Sequence, residues 1–271
     1  MDEARREPFK VAAIQMVSTP TPAENYAAAQ RLVREAAAQG AQLALLPEYW
    51  PVMGLKDTDK LALAEGEGGE IQERMAAMAR DNGIWLIGGT LPLATADAGK
   101  VLNATLVYDP RGEAVARYDK IHLFSFSKGE ENFDEARTIE QGGRVSTFDA
   151  PFGKVGLSVC YDLRFPELYR AMGDCALMVV PSAFTYTTGK AHWELLLRAR
   201  AVENQCYVLA AGQGGVHANG RRTWGHSMLI DPWGEIISVL PEGEGLAIGD
   251  IDPHRLQYVR EILPALRHRK L

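Results

Sequence analysis

Short apolar runs and longer stretches of helical period alternate along the chain. An apolar run at residues 9–16 has the length of a strand, residues 23–39 place apolar side chains at amphipathic helical spacing, and a second apolar run covers residues 42–46. Gly40 is a typical helix stop before that second run. A strand, a helix and a strand in this order predict a β-α-β unit with parallel strands.

The alternation continues through the first half of the chain. One helix and three strands are predicted next, at residues 69–82, 84–91, 101–108 and 114–118. The last two strands flank the turn Asp109-Pro-Arg-Gly112 and are expected to form a hairpin. Residues 127–143 are polar and are predicted to be an irregular loop, which is uncommon at this length unless the loop lines a site.

The second half of the sequence repeats this order. Strands are predicted at residues 155–159, 176–180 and 206–211, a helix at 190–204, and a meander at 224–230, 235–240 and 245–250. The turn Asp231-Pro-Trp-Gly234 resembles Asp109-Pro-Arg-Gly112, which indicates a weak internal duplication. Because no linker rich in Gly, Pro or Ser separates the halves, we expect residues 1–271 to form a single α/β domain with one core.

Composition narrows the class of protein. With 46% hydrophobic residues among 271, the chain can bury a substantial core, and its net charge of −6 argues against a general affinity for nucleic acid or acidic membranes. Three cysteines without scaffold spacing indicate a reducing compartment. The charged N-terminus lacks a signal-peptide core, and no apolar run has the length of a membrane span. These features predict a soluble, cytoplasmic protein.

Cys160 stands where the hydrophobic pattern changes period. The strand predicted at residues 155–159 ends at this cysteine, and Leu163, Leu168 and Met172 then recur at roughly helical spacing, with Asp162 as a candidate N-cap. A strand-to-helix turn presents a side chain at the edge of a sheet, which suits a nucleophile. The alternative is that Cys160 fills the core, as free cysteines usually do and as we expect of Cys175 and Cys206.

Glu48 and Lys120 also follow predicted strands. Glu48 lies in Pro47-Glu48-Tyr49-Trp50-Pro51, where desolvation by Tyr49 and Trp50 would raise its proton affinity and suit it to act as a general base. Read alone, it would be an ordinary exposed glutamate. Lys120 lies between a hairpin strand and an aromatic segment, and its more common fate there would be to extend past the aromatic residues into solvent.

Together these side chains provide the groups that thiol-mediated acyl transfer requires. The carboxyl ends of parallel strands meet at one edge of a sheet, where Cys160, Glu48 and Lys120 can converge as nucleophile, base and cation. A neighbouring ammonium favours the thiolate over the thiol. The backbone N–H of Tyr161, which follows the nucleophile, can contribute to an oxyanion site. The six histidines show no metal-ligand spacing, so no metal is expected.

Three segments resemble the signatures of the nitrilase, or carbon–nitrogen hydrolase, superfamily, in the same order. They are Leu45-Leu-Pro-Glu48, Tyr118-Asp-Lys120-Ile-His-Leu123 and Gly156-Leu-Ser-Val-Cys160-Tyr-Asp-Leu-Arg164-Phe-Pro-Glu167. The resemblance implies a four-layer α-β-β-α sandwich with Glu48 as general base, Lys120 as oxyanion stabiliser and Cys160 as nucleophile. It also implies a fourth residue, a glutamate that best matches Glu135 although Glu130 and Glu131 are near, as well as no cofactor and at least a homodimer.

Within the superfamily, the segments that begin at Pro181, Ala191 and Gly225 resemble the amidase branch that acts on deaminated glutathione. The resemblance implies a small amide substrate that carries a carboxylate. Candidate residues for contact with this substrate are Tyr161, Arg164, Ser182, Phe184 and Thr185, the last of which opens a loop at residues 185–190. Arg164 can pair with a carboxylate through its planar fork, and a salt bridge to Glu167 or another structural acid is about as probable.

Other functions remain open from the sequence. An ω-amidase acting on keto-acid amides and an N-carbamoyl amino acid hydrolase would use the same residues, as would a true nitrilase. A binding or regulatory subunit that keeps the fold without catalysis belongs to a different class. The presence of Glu48, Lys120 and Cys160 together argues against that last alternative.

Overall fold

A computed structural model describes residues 7–129 and 131–270, without the side chain of Glu131. In the first half the elements are β1 (Phe9–Gln15), α1 (Pro22–Ala38), β2 (Leu43–Leu45), α2 (Glu70–Asn82), β3 (Trp85–Ile87), β4 (Leu91–Ala94), β5 (Val101–Tyr108), β6 (Ala114–Asp119), β7 (Ser125–Lys128), β8 (Glu131–Asp134) and β9 (Ile139–Glu140). In the second half they are β10 (Thr147–Ala150), β11 (Gly153–Leu157), α3 (Pro166–Ala171), β12 (Leu177–Ser182), α4 (Tyr186–Asn204), β13 (Tyr207–Gly212), β14 (Ser227–Ile230), β15 (Ile236–Leu240), β16 (Gly245–Ile251) and α5 (Pro253–Ile262).

The described strands form two large sheets and one small hairpin. The first sheet has the order β16-β1-β2-β3-β5-β4, with β6 and β9 also paired to β5, and the second has the order β10-β11-β12-β13-β14-β15. In each sheet three consecutive strands run parallel and are joined by helices. An antiparallel strand then follows, β5 in the first sheet and β14 in the second. The two halves indicated by the sequence therefore correspond to the two sheets.

Alternating side chains of the first sheet pack against different layers. On β1, Val11 and Ala13 belong to the core cluster that contains strands of the second sheet, whereas Ile14 belongs to a cluster with α1 and α2. The second sheet carries α4 against its other side through Trp193 and Leu197. This arrangement is the predicted α-β-β-α sandwich. Each large apolar side chain buried between these layers stabilises the fold by about 1.5–3 kcal/mol.

The two similar turns predicted from the sequence have the same hydrogen bonds. Asp109 Oδ1 accepts the N–H groups of Arg111 and Glu113 at 2.9 and 3.0 Å. Asp231 Oδ1 accepts the N–H groups two and four residues further on, at 2.9 and 2.8 Å. In both turns the aspartate carboxylate accepts hydrogen bonds from backbone N–H groups of the turn, so the two turns have equivalent structures.

Two predicted elements of the first half were wrong. The strand expected at residues 84–91 is divided into β3 and β4, because Gly88 and Gly89 turn the chain and Gly89 has a φ of +56°. The segment at residues 127–143 is not irregular: β7 pairs with β8, and β9 joins β5. This segment contains too few apolar residues for its strands to be predicted from the sequence alone.

Two predicted elements of the second half also differ. The third strand of the expected meander, β16, leaves its neighbours and pairs antiparallel with β1 in the other sheet. The loop expected at residues 185–190 forms the first turn of α4, because the Thr185 side chain caps this helix by accepting the Thr188 N–H at 3.3 Å. The first difference arises from pairing with a strand that is distant in sequence, and the second arises from a capping hydrogen bond.

The first sheet brings Glu48 and Lys120 to the same edge. Strand β5 runs antiparallel to β3, and β6 runs antiparallel to β5, so β6 has the same direction as β2 and β3. Glu48 lies shortly after the end of β2, and Lys120 directly follows β6. In the described part of the chain no helix combines the length and the apolar character needed to cross a membrane.

Replacing Gly89 by alanine tests whether the turn after β3 supports this edge. A Cβ at Gly89 would lie 2.1 Å from the carbonyl oxygen of Pro47, the residue before Glu48, and the backbone φ is positive. We expect Gly89→Ala to lower the free energy of unfolding by about 2 kcal/mol or more, measured by urea denaturation. Gly66→Ala is the control, because a Cβ there meets open space. Equal effects of the two changes would contradict the prediction.

Candidate active site

Cys160 occupies a strained position between a strand and a helix. Strand β11 ends at Leu157, residues Cys160–Arg164 form one 3₁₀ turn, and α3 begins at Pro166. The φ of Cys160 is +49°, which a non-glycine residue rarely adopts outside functional sites. Its side chain is buried, with the residue 7% exposed. The predicted strand-to-helix turn at Cys160 is therefore present.

Asp162 does not cap the helix as predicted. The N-cap residue of α3 is Phe165, and the Asp162 carboxylate instead turns inward. It accepts the Val159 N–H at 2.8 Å, the Tyr118 hydroxyl at 2.7 Å, and the N–H and the ring Nδ1 of His122 at 3.0 and 2.7 Å. The aspartate thus fixes the backbone just before Cys160, and His122 is a structural neighbour of this network.

Glu48 is 1% exposed and its carboxylate accepts three hydrogen bonds. Oε1 accepts from Lys120 Nζ and from Asn103 Nδ2, both at 2.9 Å, and Oε2 accepts the N–H of Ala183 at 2.8 Å. We expected Tyr49 and Trp50 to desolvate this carboxylate. Instead, Trp50 packs against α1 and α2, and the Tyr49 hydroxyl donates to another acid, Glu135. Polar donors surround Glu48 instead.

Lys120 is fully buried rather than extended into solvent. Its Nζ lies 2.9 Å from Glu48 Oε1 and 2.9 and 2.8 Å from the two carboxylate oxygens of Glu135. Burial by itself lowers the pKa of Lys120, but the charges of Glu135 and Glu48 outweigh it, so the pKa is raised and the ammonium stays protonated.

Glu135 is the glutamate of the polar segment that reaches the site. Besides Lys120 it accepts the Tyr49 hydroxyl and the Phe124 N–H, each at 2.7 Å. Burial raises its pKa, but the ammonium of Lys120 outweighs that effect, and the net pKa is lowered. Glu130 and the side chain of Glu131, the other candidates, lie outside the described residues. Glu135 thus holds Lys120 from the side opposite Glu48.

The thiol of Cys160 has a pKa well above that of an ordinary cysteine. Burial is the largest cause, and the negative charge of Glu48 adds to it, while the Lys120 ammonium acts in the opposite direction. The ammonium does favour the thiolate, as expected, but burial and the negative charges of Glu48 and Glu135 outweigh its effect on the pKa. Cys160 is a thiol at rest, and Glu48 is close enough to influence it electrostatically.

A small cavity of about 10 Å³ opens onto Cys160. Among its lining residues are Tyr161, Phe184, Thr185 and Arg221. Three of the predicted contact residues thus border the nucleophile. Arg164 lies outside this cavity: its guanidinium stacks over Tyr161 and Phe184, with centroid distances of 5.7 and 5.5 Å, and its Nη1 lies 3.3 Å from His192.

Ser182 also lies away from the cavity. It is fully buried at the end of β12, where its hydroxyl lies 3.5 Å from the carbonyl oxygen of Val180. Cys175 and Cys206 are buried core residues, as predicted, and all three cysteines are free thiols.

Three groups of the site were missed in the sequence. They are the side chains of Asn103 and Arg221 and the backbone N–H of Ala183. Asn103 had a usable signal, because it is a polar residue within the apolar run of β5. The others had none, since a backbone donor has no sequence signature and the 217–223 segment lacks a strong periodic pattern. Among the described residues no cluster of three or more His, Cys, Asp or Glu side chains could hold a metal.

A comparison of the sequence with known protein families identifies the family to which the chain belongs. Residues 10–261 match the carbon–nitrogen hydrolase family. This chain belongs to the carbon–nitrogen hydrolase family. The match covers most of the chain, and it confirms the predicted superfamily and the prediction of an enzyme that acts on carbon–nitrogen bonds in amides.

Curated relatives of this carbon–nitrogen hydrolase cover nearly the whole chain. The deaminated glutathione amidase of Synechocystis sp. is 41% identical over 269 residues, which are 97% of this chain and 98% of the relative. The human omega-amidase NIT2 is 40% identical over 266 residues, which are 97% of this chain and 95% of the relative. Amidases with two different named activities are therefore similar to this chain to nearly the same degree.

Solved structures show the same fold. The C. elegans NitFhit protein has a TM-score of 0.89 and is 37% identical to this hydrolase. The match covers 97% of this hydrolase and 65% of the worm protein. A variant of an amidase from Nesterenkonia sp. AN1 has a TM-score of 0.82 and is 26% identical. This match covers 98% of this chain and 95% of the amidase chain. In that structure the acetamide moiety of fluoroacetamide is covalently attached to the active-site cysteine.

Titration of the Cys160 thiol tests the electrostatics of this site. We expect its pKa to lie above the value of about 8.5 of an ordinary cysteine, and Glu48→Gln to lower this pKa, because the substitution removes a negative charge that raises it. The measurement is the thiolate absorbance near 240 nm, taken as the difference from the corresponding protein carrying Cys160→Ala. An unchanged or higher titration midpoint in Glu48→Gln would contradict the assignment.

Proposed function

We propose that this protein is an amidase that uses Cys160 as nucleophile, Glu48 as general base, Lys120 as oxyanion stabiliser and Glu135 as the residue that positions Lys120. The observation that carries the proposal is the buried ammonium of Lys120, held between Glu48 and Glu135 beside the Cys160 thiol. A nucleophile, a proton acceptor and a fixed cation in one dry cavity are what acyl transfer through a thioester requires.

The reaction proceeds by two acyl transfers. Glu48 takes the proton of the Cys160 thiol as sulfur attacks the amide carbonyl, and the resulting oxyanion is stabilised by Lys120 and by the Tyr161 backbone N–H. Glu48 then gives the proton to the departing amine, the C–N bond breaks and a thioester remains. Glu48 next accepts a proton from a water molecule, which attacks the thioester; the C–S bond breaks, the carboxylic acid leaves, and Glu48 returns the proton to the sulfur of Cys160.

The substrate we propose is deaminated glutathione. The Synechocystis relative with this named activity is 41% identical to the chain, and the cavity at Cys160 continues into a larger pocket that can hold a bulky leaving group. An ω-amidase activity on keto-acid amides is the second candidate, because NIT2 is 40% identical. An N-carbamoyl amino acid hydrolase or a nitrilase would use the same residues with a different acyl group.

Further predictions from the sequence are retained as part of this proposal. They are a single domain over residues 1–271, a homodimer or higher oligomer, a cytoplasmic location and catalysis without metal or organic cofactor. The core cluster shared by the two sheets supports the single domain. The proposed chemistry is complete with side chains and water, which supports the last point.

Substitution of the nucleophile tests the proposal. Cys160→Ala should lower kcat at least about a thousandfold because no thioester can form, while the far-UV circular dichroism spectrum stays unchanged. Cys175→Ala is the matched control: it removes another buried thiol and should keep turnover. Retained turnover in Cys160→Ala would overturn the mechanism.

A substrate panel tests the proposed specificity. Amine or ammonia release is measured with deaminated glutathione, α-ketoglutaramate, an N-carbamoyl amino acid and a nitrile, and deaminated glutathione should give the highest kcat/KM. A higher value for α-ketoglutaramate would favour the ω-amidase. If no substrate is turned over and a thiol-directed electrophile fails to label Cys160 in the folded protein, the chain is a binding subunit instead.

A further inference from the structure

The cavity at Cys160 is continuous with a larger pocket, which we call the outer pocket. Phe124, Glu135 and Arg221 line both spaces. The cavity has a volume of about 10 Å³, whereas the outer pocket has a volume of about 700 Å³. The space at Cys160 thus holds only the reacting group of a substrate, and the remainder must extend into the outer pocket. The outer pocket is therefore available to a leaving group with a chain of its own.

Arg221 stands at the junction of these two spaces with most of its hydrogen-bond donors unused. Its Nη2 donates to the Ala183 carbonyl at 2.7 Å, and its guanidinium lies 5.2 Å from the centroid of the Phe133 ring. The Nε is buried, and no described residue accepts a hydrogen bond from it. A buried donor without a partner is costly, and a guanidinium is suited to bind a carboxylate with two parallel bonds.

The other charged side chains of the outer pocket are largely engaged. Arg222 pairs with Glu242 at 3.0 Å, and Glu135 pairs with Lys120. Lys60 donates to the Thr138 hydroxyl at 3.0 Å, and burial lowers its pKa.

Two acids, Asp57 and Asp134, and one further cation, Lys56, complete the charges of this pocket. Asp134 pairs with Arg137 at 3.2 Å, and Lys56 is exposed near Asp57. Within residues 7–129 and 131–270, Arg221 forms no ion pair. It is thus the cation at the junction whose charge is left for a ligand.

We propose that the outer pocket is a subsite for the leaving group of the substrate, and that Arg221 binds a carboxylate carried by that leaving group. This inference rests on the proposed amidase function. The reacting amide group lies at the cavity beside Cys160, and the amine part of the substrate, an amino acid or short peptide, extends past Phe133 into the outer pocket. Arg221 then determines specificity for the leaving group and takes no part in proton transfer.

Three substrates that share one acyl group separate this role from others. They are deaminated glutathione, whose dipeptide leaving group ends in a carboxylate, its C-terminal amide, and the primary amide α-ketoglutaramate. In Arg221→Met we expect the ratio of kcat/KM for deaminated glutathione to that for the primary amide to fall about 10- to 100-fold, mainly through KM, because one charge-assisted carboxylate contact is lost. The wild type should prefer the carboxylate over the C-terminal amide, and the variant should not.

Two variants control this experiment. Arg221→Lys keeps the positive charge and should retain part of the preference. Arg31→Met removes a cation that lines neither space and is already paired with Glu244 at 2.7 Å, and should leave the ratio unchanged within about twofold. Binding of uncleaved deaminated glutathione to Cys160→Ala protein, measured by calorimetry, should weaken by a similar factor when Arg221→Met is added, which requires no turnover.

The outcomes distinguish the subsite from the proposed function. Equal losses on all three substrates would place Arg221 in support of Ala183 or of the acyl group and overturn the subsite. An unchanged ratio would overturn it as well. If the wild type cleaves none of the three substrates, the proposed function fails, and the subsite fails with it.

Discussion

The buried ammonium of Lys120 is the interaction on which the rest of the site depends. Removing a charge from water costs several kcal/mol, and breaking a buried pair by removal of one partner costs about 3–5 kcal/mol. Lys120 is fully buried, and in the described part of the chain its ammonium donates hydrogen bonds to the carboxylates of Glu48 and Glu135. These carboxylates must in turn be satisfied, and Asn103 and the Ala183 N–H bind the first of them. The positions of several loops follow from this one requirement.

The balance of charge in this cluster also explains the protonation of Cys160, the proposed nucleophile. Two carboxylates face one ammonium, so the surroundings of Cys160 are net negative and, with burial, hold the proton on sulfur. A permanently ionised thiolate would be a third negative charge in the same dry space. The proton can leave only when a carboxylate receives it, which joins deprotonation to attack. The cluster therefore selects a concerted first step.

The sequence was most informative where one local pattern was sufficient. Helix α2 was predicted at residues 69–82 and lies at Glu70–Asn82, because its amphipathic spacing and its Gly83 stop are local signals. The convergence of Glu48, Lys120 and Cys160 also followed from strand order. The partner of β16 and the inward turn of Asp162 could not be predicted, because each depends on residues far away in the chain. Arg221 was missed for the same reason. The division at Gly88 and Gly89 did have a local signal, because a glycine pair is typical of a turn.

The proposed catalytic groups belong to different sheets. Glu48 and Lys120 follow strands of the first sheet, whereas Cys160 and Ala183 follow strands of the second. The sulfur and its base thus stay in register only while the two layers keep their alignment across the apolar core. A slide of one layer by an ångström or two would leave every helix and strand intact and still separate the reacting atoms. On heating, turnover should consequently be lost before secondary structure, because turnover depends on the packing between the two sheets.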